Sequence, residues 1–263
     1  MAKTPAQTDK KPLGTALVTG ASKRIGRAIA RRLAEAGFDL ALHYHHSEAE
    51  CQSLAQEITQ LGRNCLCLAA DLVDEASVRE LFRAAHVQLS PVTLLVNNAA
   101  LFERDEWNSV THDSWHRHMA INLYAPFCLM QEMARNLSRH LPPERTGLIV
   151  NMIDQRVWNL TPHFVSYSVS KYGLWGLTQS LALAFAPQIR VNAIGPGPTL
   201  PSPNQSDAHF THQQASLPLR HGASPEEIAE AVMFLWHSSS MTGQMLALDG
   251  GQHLNWRGEQ KNP

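Results

Sequence analysis

Cysteine is scarce in this sequence. Only Cys51, Cys65, Cys67 and Cys128 occur, and no two stand at the CxxC spacing of a zinc site. Cys65 and Cys67 alternate along one strand-like run, where close neighbours seldom bridge, so the spacing predicts reduced, buried thiols and a cytoplasmic setting. Net charge is almost absent too: 22 Lys and Arg against 23 Asp and Glu leave −1. That removes the electrostatic case for nucleic acid or an anionic membrane as partner. No apolar run in the chain approaches the roughly 18 residues a membrane span needs. Residues 1–11 are polar and Lys-containing, and read as a flexible tail rather than a signal peptide or anchor.

What the chain does contain is ample apolar material, 44% against 17% charged residues, arranged in a regular alternation of strand and helix patterns. Leu13–Thr19 reads as a strand stopped by Gly20. The helix predicted over 24–36 puts Ile25, Ala28, Ile29 and Leu33 on one face and stops at Gly37. Further strands are expected at 40–43, 65–70, 92–97, 148–152, 189–194 and 245–248. Further helices are expected at 47–61, 74–89, 111–136, 166–186 and 224–236, the last announced by Ser224-Pro225-Glu226-Glu227. This order argues for βαβ units with right-handed crossovers. The expected fold is α/β: one Rossmann-like domain over about 12–256, a doubly wound parallel sheet of about seven strands with helices on both faces. Residues 195–222 hold Pro196, Pro198, Pro201 and Pro203 and are too long for an ordinary connection, so they read as a substrate lid. Residues 257–263 form a second tail.

Two stretches carry chemistry. Tyr167 and Lys171 stand four apart, so on a helix they share a face. A phenol is a poor proton donor at neutral pH, and an ammonium one turn away favours the phenolate, which would bring the pair into the working range. Upstream, Thr19-Gly20-Ala-Ser-Lys23-Arg24-Ile25-Gly26 joins the first strand to the first helix, where small residues let backbone N–H groups approach a pyrophosphate. A NAD site of this kind wants an acidic residue closing the second strand. None is there: the strand ends His43-Tyr44-His45-His46-Ser47, with Lys23 and Arg24 nearby, so a 2′-phosphate and hence NADP (NADPH) is expected. His43, His45 and His46, or His112 and His116, lack a companion carboxylate or thiol at ligand spacing, and no metal site is expected.

Joined with Asp71, Asn97-Asn98-Ala99, Asn122, Gly195-Pro196-Gly197 and Asp249-Gly250-Gly251, these motifs resemble the short-chain dehydrogenase/reductase superfamily over about residues 13–251. Within it the chain is most similar to pteridine reductases and the related short-chain dihydromonapterin and dihydrofolate reductases. Arg24 replaces the middle glycine of the turn, Leu42-His43-Tyr44-His45 and Ser47 end the second strand, and Phe102 follows Asn97-Asn98-Ala99. Asp154, thirteen before Tyr167, stands where most of the superfamily has serine. A serine hydroxyl donates to a ketone oxygen, whereas a carboxylate would repel the alkoxide that forms. A carboxylic acid beside Tyr167 suits protonation of a ring nitrogen.

The resemblance implies roles for individual residues. Tyr167 would pass protons with Asp154, Lys171 would orient the ribose and tune Tyr167, and Asn122 would hold a water relay behind Lys171. Phe102 would stack a pterin on the nicotinamide, and Asp71 would contact adenine. Arg24, His43, His46 and Ser47 would hold phosphates, although the family usually has Arg where His46 stands. Further cofactor contacts fall on Gly20, Lys23, Ile25, Tyr44, Leu72, Asn98, Ala99, Pro196, Gly197 and Thr199. The family implies a homotetramer built through the long central helices and the segment around Leu246–Gly251. The expected function is NADPH-dependent reduction of a ring C=N bond in a pterin or dihydropterin. An NADP-dependent carbonyl or alcohol oxidoreductase and a non-catalytic NADP-binding sensor stand as alternatives.

Overall fold

In the computed structural model, residues 12–140, 146–202 and 205–254 are described. The tails expected at 1–11 and 257–263, the domain's last residues 255–256 and Pro203 in the lid lie outside the described residues. Seven strands form one sheet: β1 (Thr15–Val18), β2 (Asp39–Tyr44), β3 (Cys65–Ala69), β4 (Val92–Asn97), β5 (Gly147–Met152), β6 (Ile189–Pro196) and β7 (Met245–Leu248). Their order is β3-β2-β1-β4-β5-β6-β7, and every neighbouring pair runs parallel.

Parallel strands must be covered on both faces, because each crossover helix lies over the sheet. The sequence meets that need with apolar residues at consecutive positions. Along β5, Leu148, Val150 and Met152 enter one core while Ile149 enters the other. Helices α1 (Arg24–Ala36), α2 (Glu48–Gln60) and α8 (Pro225–His237) cover the first face, through residues such as Leu33, Leu54 and Val232. Helices α3 (Glu75–Gln88), α5 (Ala125–His140) and α6 (Val165–Phe185) cover the second, through Phe82, Leu129 and Leu174.

Two expectations need correction. The helix predicted over 111–136 is broken into α4 (His112–Met119), a π-helical turn at Ala120–Tyr124, and α5. The turn holds Asn122, fully buried, whose side chain reaches the chain at Leu101 and Ser170. Within the segment 195–222 lies a helix, α7 (Asp207–Ala215), capped by Ser206, whose hydroxyl accepts from the His209 N–H at 3.3 Å. β6 also runs two residues further than expected, because Gly195 and Pro196 pair with Ala247 and Leu248 of β7.

The strand order reverses between β1 and β4. Open α/β sheets bind ligands outside the carboxyl ends of their strands at such a point. Beside it, Asn97 Nδ2 donates to Asn151 Oδ1 (2.8 Å), and Asn151 Nδ2 donates to Thr178 Oγ1 (2.9 Å), tying β4, β5 and α6 together in a dry interior. Asn151→Ala strands these buried partners and is expected to destabilise the fold by about 1–3 kcal/mol. Urea denaturation measures the loss.

Candidate active site

Two adjoining clefts open at the carboxyl edge of the sheet. The larger, about 660 Å³, lies over the β1–β4 switch point, and Gly20, Lys23, Arg24, Ile25, His43, His46, Asp71, Leu72, Asn98 and Ala99 all line it. Pro196, Gly197 and Thr199 line the second cleft, which shares Arg24 and Ile25 with the first. Tyr44 and Ser47 line neither. Tyr44 packs against the core, and Ser47 stands at the head of α2. Composition gave no hint of Arg117 or Ile121, which α4 and the π turn bring to the larger cleft.

The turn between β1 and α1 is drawn tight by its own polar groups. Thr19 Oγ1 accepts from the N–H groups of Asn98 (2.9 Å) and Ala99 (3.0 Å), and Asn98 Nδ2 donates to Thr19 O (2.8 Å) and Gly20 O (3.1 Å). A Cβ on Gly26 would lie 2.1 Å from Gly20 O, so only glycine lets α1 begin here. Arg24 has φ +54°, a left-handed backbone that favours glycine, and its guanidinium donates to Leu200 O at 3.3 Å. Lys23 is paired with Glu50 at 2.7 Å.

His43 is buried behind this turn. Its Nδ1 accepts from Gly20 N–H (3.1 Å), which leaves the hydrogen on Nε2 to be donated to Ala70 O (3.1 Å). Burial pushes its pKa down to about 4, so the ring is neutral and shapes the turn without supplying a positive charge to a phosphate.

The second cleft brings Asp154 and Tyr167 together. Asp154 follows β5 and caps a short 3-10 turn, its Oδ1 accepting from Arg156 N–H at 2.9 Å. Its other oxygen, Oδ2, accepts from Tyr167 Oη at 3.0 Å. Burial raises the Asp154 carboxyl above its usual range, against the pull of Arg156. Burial and the Asp154 charge hold the Tyr167 phenol well above its ordinary value. The lowering expected from Lys171 is therefore outweighed: a phenol sealed beside a carboxyl keeps its proton. Burial brings Lys171 itself down to about 8, and its Nζ donates to Met152 O at 2.7 Å, 5.6 Å from the Tyr167 ring centre.

Phe102 leans edge-on against Tyr167 (4.7 Å between ring centres) and stacks on Phe164 at 4.6 Å. Asn122 clamps the segment just before it, accepting from Leu101 N–H (2.7 Å) and donating to Leu101 O (2.9 Å) and Ser170 Oγ (3.0 Å). α6 has no cap of its own, since Phe164 stands at its head with φ +60°. Asp105 serves instead: its carbonyl accepts from Phe164 N–H (2.8 Å) and its Oδ1 from Ser166 N–H (3.1 Å). No local signal marks Asp105, because it caps a helix some sixty residues away. Arg156 and Gln155 also line this cleft.

Two outcomes follow from these contacts. His43 has a folded-state pKa of about 4, below its ordinary 6.5, so the unfolded chain takes up the proton first. Its contribution to stability is complete above about pH 6.5 and is lost as pH falls toward 4, by up to roughly 3 kcal/mol. Urea denaturation at stepped pH reads this slope, which is expected to flatten in His43→Gln. Asp105→Ala is expected to cost about 1–2 kcal/mol and to speed amide exchange in the first turn of α6.

The enoyl-(acyl carrier protein) reductase family matches residues 20–253 of the chain. A short-chain dehydrogenase/reductase of Hericium erinaceus, eriH, is 31% identical over 91% of this chain and 97% of its own length. The 3-oxoacyl-[acyl-carrier-protein] reductase FabG of Staphylococcus epidermidis is 29% identical over 91% and 99%. Among solved structures, FolM alternative dihydrofolate reductase 1 from Brucella canis, complexed with NADP, superposes with a TM-score of 0.89 at 44% identity, covering 95% of this chain and 98% of that one. With its parallel sheet, glycine turn and Tyr167/Lys171 pair, the chain belongs to the short-chain dehydrogenase/reductase superfamily.

Proposed function

We propose that this protein is an NADPH-dependent reductase of the ring C=N bond of a pterin or dihydropterin. The observation that carries the reading is the part-buried hydrogen bond between Tyr167 and Asp154, with Phe102 against the same phenol. The likeness to a structure named as an alternative dihydrofolate reductase, itself complexed with NADP, points the same way.

The residues at the switch point fit a phosphorylated dinucleotide. The Gly20–Gly26 turn leaves no room for side chains where a pyrophosphate would approach. Lys23 and Arg24 line the cleft, and no carboxylate ends β2 to compete with a 2′-phosphate. Arg24, Lys23 and His46 would hold phosphates, Asp71 and Leu72 would flank the adenine, and Asn98, Ala99, Pro196, Gly197 and Thr199 would follow the ribose and nicotinamide. Lys171 would orient the ribose. The reduced cofactor, when bound, supplies a hydride to the substrate carbon.

The chain's own residues do the rest. Phe102 offers an exposed ring face on which a flat heterocycle can stack. Tyr167 donates its hydroxyl to Asp154 Oδ2 at 3.0 Å, and burial shifts both groups upward, toward holding a proton beside the ring. As the C=N electron pair moves onto nitrogen, that nitrogen takes a proton from the pair, and water later restores it. The reading extends to a cytoplasmic homotetramer, for which the exposed apolar residues Val169, Tyr172 and Leu183 of α6 offer contact surface.

A second reading, carbonyl reduction, draws on relatives such as the 3-oxoacyl reductase. One variant pair separates the two. With NADPH and dihydrobiopterin, dihydromonapterin or dihydrofolate, Asp154→Asn and Asp154→Ser are both expected to lower kcat by about 10²–10⁴-fold while NADPH still binds, as calorimetry would record. Turnover of ketones but of no pterin, with Asp154→Ser as active as the parent, would establish the carbonyl reading.

A further inference from the structure

Arg156 is a cation whose charge acts on Asp154 and Tyr167. Its Nη1 is buried with no hydrogen-bond partner among the described residues. It is held by rings instead: the guanidinium carbon lies 4.7 Å from the centre of Phe164, 5.3 Å from Phe102 and 6.0 Å from Tyr167. Its backbone N–H already occupies Asp154 Oδ1, while Tyr167 occupies Oδ2. Both carboxyl oxygens thus accept a hydrogen bond without using the guanidinium.

A half-buried guanidinium with one unpaired nitrogen is costly to hold, and it is most useful where negative charge appears during turnover. When the pair gives a proton to a substrate nitrogen, one negative charge remains on Asp154 or Tyr167 until solvent returns a proton. We propose that Arg156 is the positioning residue that offsets this charge, a role the spacing of Tyr167 and Lys171 had assigned to the lysine. Lys171 is engaged by Met152 O and pulls on Asp154 less than Arg156 does, whereas Arg156 pulls both Asp154 and Tyr167 downward against their burial. The charged and titratable groups facing the pair are few: Arg24 from the head of α1, Arg156 from the turn after β5, and Lys171 from α6. The elements that close the cleft from the lid bring Gln205 and Gln213, which carry no charge.

The inference rests on the pair acting as the proton donor, as proposed above, and its test is made independent of any substrate. Infrared titration of the NADP⁺ complex follows the carbonyl stretch of protonated Asp154, with Asp154→Asn identifying the band. In Arg156→Gln the titration midpoint is expected to move up by about one to two pH units, and Arg156→Lys is expected to recover most of that shift. Arg156→Met, which keeps the stem on the rings and removes the charge, gives the same answer should the Gln variant not fold. The alkaline limb of the pH profile for dihydropterin reduction is expected to move by the same amount. An unmoved midpoint in both neutral variants would overturn the assignment. A moved midpoint in an enzyme that reduces no pterin would leave the charge coupling standing and remove the proposed function.

Discussion

The part-buried hydrogen bond from Tyr167 Oη to Asp154 Oδ2, 3.0 Å long, is the constraint around which the rest of the site is arranged. Two acids this near in a low-dielectric place cannot both ionise, so each holds the other's proton in place. Neither residue reaches the other unaided. Asp154 lies just past β5, where it caps a 3-10 turn, and Tyr167 lies in the first turn of α6. The start of α6 is fixed from outside by Asp105, on the segment that also carries Phe102. Loop, strand end and helix head are therefore locked to one another, and the proton pair inherits that rigidity.

Arg24 joins the two clefts. Its guanidinium ties the turn after β1 to the segment that leads into α7, by a hydrogen bond to Leu200 O. Around the larger cleft the charge is divided by burial. His43 is sealed and neutral and builds the turn, whereas Lys23 and Arg24 stay at the surface, Lys23 beside Glu50. Imidazole and ammonium thus have different duties within a few ångströms because one is dry and the other wet.

Much of this was legible beforehand. The alternation of short β-branched or Leu-rich runs with amphipathic stretches named the seven strands, because a parallel sheet buries both faces and so writes unbroken apolar runs into the chain. Tyr167 and Lys171 were legible from their helical spacing together with the motifs around them, and Asp154 from the resemblance, since it stands where the superfamily has serine. The break at Ala120–Tyr124 was not, since a π turn adds a residue without altering composition. α7 was missed because a helix with no buried residue leaves no apolar stripe to read.

The sequence alone determined the fold class, the order of its elements and the inventory of acids, bases and small residues, because hydrophobic period and backbone-permissive glycines are local properties. Tertiary structure alone decided how those groups behave. It removed the charge of His43, raised the phenol that Lys171 was expected to lower, and set Arg156 beside the proton pair among three rings. Each of these depends on burial and on neighbours distant in the chain, and the free energy of an ion is governed by what surrounds it in space.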